Sequence, residues 1–231
     1  MGHVEFDRFA DKYDEQHREN VTIAGERPEF FAEYKIKKLR EIVDRSNISV
    51  SRICDFGSGI GNSIPFFRAH FPDVSLTSSD VSERSLAISK QRHPDSNNYL
   101  LIEDDRIPSK PDAFDVVFSA CVFHHIGHDE HTRWLRELHR ITRQGGLIAV
   151  FEHNPLNPLT VQAVNTCPFD ANARLIPARD LARRLGDAGW ASPQIQYCLF
   201  FPRGLSMLRP IENKLGWLPF GAQYVVLARK P

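Results

Sequence analysis

The stretch Ile53-Cys54-Asp55-Phe56-Gly57-Ser58-Gly59-Ile60-Gly61 leaves the backbone very few paths. An apolar run enters an acid and then three glycines at alternate positions, and Asn62-Ser63-Ile64-Pro65-Phe66-Phe67 continues at helical spacing. That pattern predicts a buried parallel strand, a tight turn and the first turn of a helix. Glycine suits the turn because positive φ costs it little and because a ligand there lies against bare backbone. A dinucleotide fingerprint spaces its glycines G-x-G-x-x-G and sets a pyrophosphate over the helix N-terminus. Here the third glycine comes one residue early, position 62 is Asn, and Asp55 stands two residues before the first glycine. A fixed carboxylate repels a pyrophosphate and attracts a cation, so the expected ligand is cationic.

The length of 231 residues fits one α/β domain with decorations and buries a sizeable core. Lys+Arg and Asp+Glu both number 29, and this neutral balance argues against the basic field of a nucleic-acid binder. Cys54, Cys121, Cys167 and Cys198 are far apart and form no C-x-x-C, which fits free thiols in a reducing compartment. There is neither an apolar run of membrane-spanning length nor a signal-peptide pattern, so a cytoplasmic protein without a membrane partner is expected.

Along the chain, Phe6, Phe9, Ala10 and Tyr13 mark an amphipathic helix, and a second helix is predicted over 28–46. Strands are predicted over 74–80, 99–102, 113–120, 147–152, 195–201 and 222–229, with helices over 129–143 and 180–188. Asp80 closes the second strand about twenty residues beyond Gly61, the offset at which an acid meets a ribose diol. The competing role for Asp80 is a helix N-cap, since Ser82-Glu83 open the next helix. Residues 153–176 lose periodicity and carry Pro155, Pro158 and Pro168, the signature of a long functional loop.

With Asp55, Gly57, Gly59 and Gly61 in place, the sequence resembles the class I S-adenosylmethionine-dependent methyltransferases, in the small-molecule branch that includes quinone-biosynthesis enzymes. The stretches "FDVVFS" (114–119) and "HRITRQGGLIAVFEHNP" (139–155) carry the same resemblance. It implies a doubly wound, mostly parallel seven-stranded sheet ending in an antiparallel hairpin, with S-adenosylmethionine as cofactor and a small organic molecule as methyl acceptor. It implies a single domain over 1–231, with a helical cap over 1–46 and substrate-covering segments at 153–176 and 203–221. Cofactor contacts implied are Asp55, Gly57, Ser58, Gly59 and Gly61 at the turn, Asp80 at ribose, and Val81 against adenine. Tyr13 on the closing helix and Ala120 at the methionine end are implied too. An acid at 103–105 meets the adenine amino group in this family; the resemblance places it at Asp104, with Glu103 and Asp105 one residue away. The alternatives are a protein that binds the cofactor without methyl transfer, and a nicotinamide-dependent oxidoreductase.

Methyl transfer to a hydroxyl needs a base, and histidine is the natural candidate. His124 and His125 follow the fourth strand and His153 the fifth, where the acceptor belongs. The family pattern suggests that His125 is mainly structural, tied to backbone, and that His124 is nearer the methyl. No cysteine or carboxylate stands at ligand spacing from these histidines, so no metal is expected. Glu152 either faces the acceptor or pairs with an arginine. Phe169, Phe200, Phe201, Trp217 and Phe220 are expected to form an apolar cover suited to a mid-sized organic acceptor.

Overall fold

The structure, a computed structural model, describes residues 26–94, 98–167, 170 and 172–231. The expected helix around Phe6–Tyr13 lies outside the described residues, as does Phe169. The elements in order are α1 (Pro28–Ser46), β1 (Arg52–Phe56), α2 (Ile64–His70), β2 (Ser75–Asp80), α3 (Glu83–Arg92), β3 (Asn98–Leu101) and β4 (Phe114–Ala120). They continue with α4 (His131–Ile141), β5 (Thr142–His153), α5 (Pro158–Thr166), α6 (Ala178–Asp187), β6 (Ala191–Cys198), α7 (Glu212–Leu215) and β7 (Gln223–Arg229). Short 3₁₀ segments cover Phe123–His125 and Arg203–Ile211.

The seven strands form one sheet in the order β3-β2-β1-β4-β5-β7-β6. Strands β1 to β5 are parallel, β7 runs antiparallel to β5, and β6 pairs antiparallel with β7. This is the doubly wound sheet with a terminal antiparallel hairpin. Both faces of the central strands are apolar, as a sheet covered on both sides requires. Cys54, Phe56, Val117, Ile148 and Val150 pack with α4 and α6, while Ile53, Val116, Phe118, Ala149 and Phe151 pack with α1 and α2. Alternate residues thus serve opposite layers. Among the described residues no helix is long and apolar enough to cross a membrane.

Two differences from the sequence reading have local causes. The helix expected to reach 143 stops at Ile141, and β5 starts at Thr142. Gly146 lets this segment lie against β4, because a Cβ there would stand 2.8 Å from the Asp115 carbonyl oxygen. The run 153–176, expected to be aperiodic, contains α5. Asn157 caps it by accepting a hydrogen bond from Thr160 N at 3.1 Å, and Pro158 occupies its first turn, where a missing N–H costs nothing.

Candidate active site

Strand order reverses between β1 and β4, the place where an open α/β sheet leaves a crevice at the strands' C-terminal ends. A cavity of about 800 Å³ opens there. Gly57 and Gly59 line its floor, with Asp80 and Val81 after β2, Ala120, Cys121, His124 and His125 after β4, and His153 after β5.

The glycine turn is built as its sequence requires. Gly57, Gly59 and Gly61 all have positive φ, at 73°, 53° and 83°. A Cβ on Gly57 would meet Val122 at 2.4 Å, so this glycine lets the β1 and β4 turns close on each other. Gly59 has nothing within 4 Å where a Cβ would stand and offers bare backbone to the cavity. Gly61 differs: its Cβ would strike Ser89 Oγ at 2.3 Å, it does not line the cavity, and it serves packing against α3. Ser58 does not line the cavity either, although its buried Oγ has no partner.

Asp80 ties the turn to the next helix. Gly59 N donates to Asp80 Oδ2 at 2.7 Å and Ser82 N donates to Oδ1 at 2.9 Å. Ser82 Oγ, and not Asp80, caps α3 by accepting from Ser85 N at 3.0 Å. Asp55 is buried behind the turn and is not a lining residue. Its Oδ2 has no partner among the described residues; burial and then the Asp80 charge push the carboxyl up to about 7, with Lys35 partly offsetting them. Of the acids at 103–105, Asp105 lines the cavity and Asp104 does not. Both have left-handed φ, 47° at Asp104 and 58° at Asp105, and this turn sets which side chain faces inward. Asp105 also pairs with Arg133.

At the other end the histidines gather around two carboxylates. Glu152 is buried and accepts from Val122 N at 3.0 Å and Phe123 N at 2.7 Å, while its other oxygen lies 2.6 Å from His124 Nδ1. Among the described residues it pairs with no arginine. Burial alone would push the Glu152 carboxyl up, but His124, His153 and the Phe123 amide hold it below its ordinary range. His124 Nε2 and His125 Nε2 lie 3.5 and 3.4 Å from Asp170 Oδ1. Burial would lower His124, yet Glu152 and Asp170 raise it to about 10. A group that keeps its proton so high is a poor base near neutrality. His124 is therefore the anchored histidine, and His125 faces the Asp170 carboxylate. His153 sits beside them with its ring centroid 5.2 Å from that of His124 and its Nδ1 3.5 Å from Gln223 Nε2.

Sequence reasoning missed Lys35, Cys121 and Asp170. Lys35 Nζ donates to Cys121 Sγ at 3.3 Å. Burial would push that thiol up, but Lys35 and His153 bring it down to about 6. A signal existed for Lys35: it stands four residues before buried Leu39 and so shares the inward face of α1. None existed for Asp170, which is 45–46 positions from the histidines it meets. Phe30, Phe31, Leu159, Phe200 and Phe201 supply apolar wall. Trp217 and Phe220, expected in the cover, are 74 % and 66 % exposed and do not line the cavity; of 203–221 only Arg209 does.

Residues 54–150 match the family profile described as a methyltransferase domain. A search of curated protein sequences finds no match. Among solved structures, a SAM-dependent methyltransferase from Thermotoga maritima superposes with a TM-score of 0.69 at 19 % identity, covering 99 % of each chain. A SAM-dependent methyltransferase from Archaeoglobus fulgidus gives 0.59 at 13 % identity, over 84 % of this chain and 94 % of that one. A Haemonchus contortus phosphoethanolamine N-methyltransferase, solved with phosphomonomethylethanolamine and S-adenosylhomocysteine, gives 0.58 at 17 % identity. That alignment covers 83 % of this chain and 52 % of that one.

Proposed function

Because the chain carries an S-adenosylmethionine-dependent methyltransferase domain, we propose that it transfers a methyl group to an oxygen or nitrogen of a small organic molecule. The observation that carries this reading is a single cavity running from the glycine turn to the histidines at the ends of β4 and β5. Its walls suit a mid-sized, largely apolar acceptor: α1 gives Phe30 and Phe31, α5 gives Leu159, and the β6 exit gives Phe200 and Phe201. In this reading α1 and α5 cover the acceptor, and Arg209, stacked 4.4 Å from the Phe30 ring, closes one side.

The residues at the turn fit a cationic cofactor without phosphates. Asp55 keeps a buried oxygen unpartnered, and Asp80 places a second carboxylate beside bare glycine backbone. In this assignment Asp80 holds the ribose diol, Val81 and Asp105 meet the adenine, and Gly57, Gly59 and Ala120 border the methionine portion. Bound there, S-adenosylmethionine supplies a methyl group already activated by its sulfonium. The protein's part is to align the acceptor, exclude water and take a proton where the acceptor is a hydroxyl. His153 takes that proton, since His124 is occupied by two carboxylates; an amine that arrives neutral needs no base.

Isotopically labelled methyl donor, mixed with the enzyme and pooled small molecules, protein and RNA, tests the reading. Label is expected on a low-mass organic product, and label recovered only on macromolecules would overturn it. Asp80→Ala is expected to weaken S-adenosylmethionine binding by about 1.5–3 kcal/mol, the range for a charged hydrogen-bond acceptor. Unchanged calorimetric affinity in a folded Asp80→Ala variant would remove this residue from the cofactor site.

Asp55 gives a pH dependence. Its raised pKa means that the folded, empty protein holds a proton between about pH 4 and 7 that the unfolded chain releases. Stability from this group therefore falls as pH rises through that window. A cationic ligand favours the ionised carboxylate, so cofactor affinity is expected to drop up to roughly tenfold per pH unit below about 7 and to be flat above it. Calorimetry across pH 5.5–8 on wild type and Asp55→Asn checks this. An identical pH profile in the two proteins would assign the effect elsewhere.

A further inference from the structure

We propose that His124, His125 and Asp170 bind a divalent transition-metal ion of the zinc class at the acceptor end of the cavity. Each offers one ligand atom, and these atoms lie within 4.8 Å of one another. Both histidines approach the same oxygen, with His124 Nε2 at 3.5 Å and His125 Nε2 at 3.4 Å from Asp170 Oδ1. The two separations from Asp170 Oδ1 match the edge of a tetrahedron around an ion with bonds of about 2.0–2.2 Å, where ligand atoms stand roughly 3.3–3.6 Å apart.

The far side of His124 is held as metal-bound histidines are held. Glu152 Oε2 lies 2.6 Å from Nδ1 and accepts a hydrogen bond from it, so an ion that displaces the Nε2 proton meets a ring already oriented toward Asp170. Glu152 cannot drift, because the Val122 and Phe123 amides fix its other oxygen. Asp170 is placed from its own side: Asp170 N donates to the Cys167 carbonyl at 3.0 Å and Arg174 N donates to the His124 carbonyl at 2.8 Å. Two imidazoles and one carboxylate suit zinc, cobalt or iron, whereas magnesium and calcium take oxygen ligands. Three protein ligands leave a position for a further ligand, the mark of a catalytic rather than a structural site.

All three residues line the cavity, so an acceptor can reach the ion. The ion's role rests on the methyl-transfer reading; the site itself does not. In that role an acceptor hydroxyl binds the ion and becomes more acidic. Its proton passes to His153, the oxygen–methyl bond forms as the sulfur–methyl bond breaks, and the bonding pair stays on sulfur as a neutral thioether. The substrate class narrows accordingly to hydroxyl-bearing molecules.

The test is metal binding by the full-length enzyme, stripped with chelator and titrated with Zn²⁺ and Co²⁺, with S-adenosylmethionine affinity measured in parallel. Wild type is expected to bind one equivalent, with the intense visible bands of four- or five-coordinate Co²⁺. Asp170→Asn and His125→Ala are expected to abolish those bands, and Glu152→Gln to weaken binding roughly 10- to 100-fold. Retained cofactor binding shows that each variant is folded. Wild type without stoichiometric binding, or variants that bind as tightly as wild type, would overturn the site. Cofactor binding without metal binding sinks this inference and leaves the methyl-transfer reading intact; metal binding without cofactor binding does the reverse.

Discussion

Replacing Glu152 with alanine is expected to destabilise the protein by roughly 3–5 kcal/mol, the cost of removing one partner from a buried ion pair. The side chain is 1 % exposed and accepts three hydrogen bonds, from Val122 N, Phe123 N and His124 Nδ1. Alanine leaves two backbone donors and His124 Nδ1 without an acceptor. For a chain of this length that corresponds to a fall in Tm of roughly 6–20 °C. Glu152→Gln should cost much less, because the amide oxygen still accepts from both backbone N–H groups. The sign of the pH effect follows from the same contacts. The carboxyl is held below its ordinary value in the folded state, so its contribution is complete above that ordinary value and is lost as pH falls through the folded one. Denaturant titration of the three proteins decides the matter, and an alanine variant within about 1 kcal/mol of wild type would sink it.

His153→Ala is expected to lower turnover of a hydroxyl acceptor by roughly 10²–10⁴-fold while S-adenosylmethionine affinity stays within error. His153 is the histidine of the cluster with no resident carboxylate on it; its neighbours are the Gln223 amide at 3.5 Å and the Cys121 thiol. Those contacts orient the ring, and the residue lines the cavity. A fall in cofactor affinity equal to the fall in turnover would mark a packing role instead. Near-normal turnover would point to alignment alone, or to an amine acceptor that arrives neutral.

Much of the cofactor end was legible because it is local. The spacing of Gly57, Gly59 and Gly61 and the offset to Asp80 are properties of one strand–turn–helix unit and the strand beside it. The structure puts Gly57, Gly59, Asp80 and Val81 on the cavity as that pattern implies. The pattern does not resolve single residues at this end. Asp105 and not Asp104 lines the cavity, because two successive left-handed residues turn the chain there. Gly61 turns out to serve packing because its neighbour, Ser89, lies on a helix whose approach the motif does not encode.

The acceptor end was not legible, because its contacts join residues far apart in the chain. His124 was expected nearer the methyl, yet Glu152 from the neighbouring strand anchors it from one side and Asp170 from a distant loop faces the other. The expectation of no metal rested on the lack of a carboxylate at sequence spacing, and Asp170 reaches the histidines only through folding. Trp217 and Phe220 were read as cover from their apolar character, which does not distinguish a wall residue from an exposed one. The sequence by itself determined the parallel sheet, the terminal hairpin and the carboxylate-flanked glycine turn, since strand periodicity and positive-φ demands act between near neighbours. Only the tertiary structure decided which histidine is anchored and which acid faces the pair, because hydrogen bonds and charges act through space at a few ångströms and carry no mark of sequence distance.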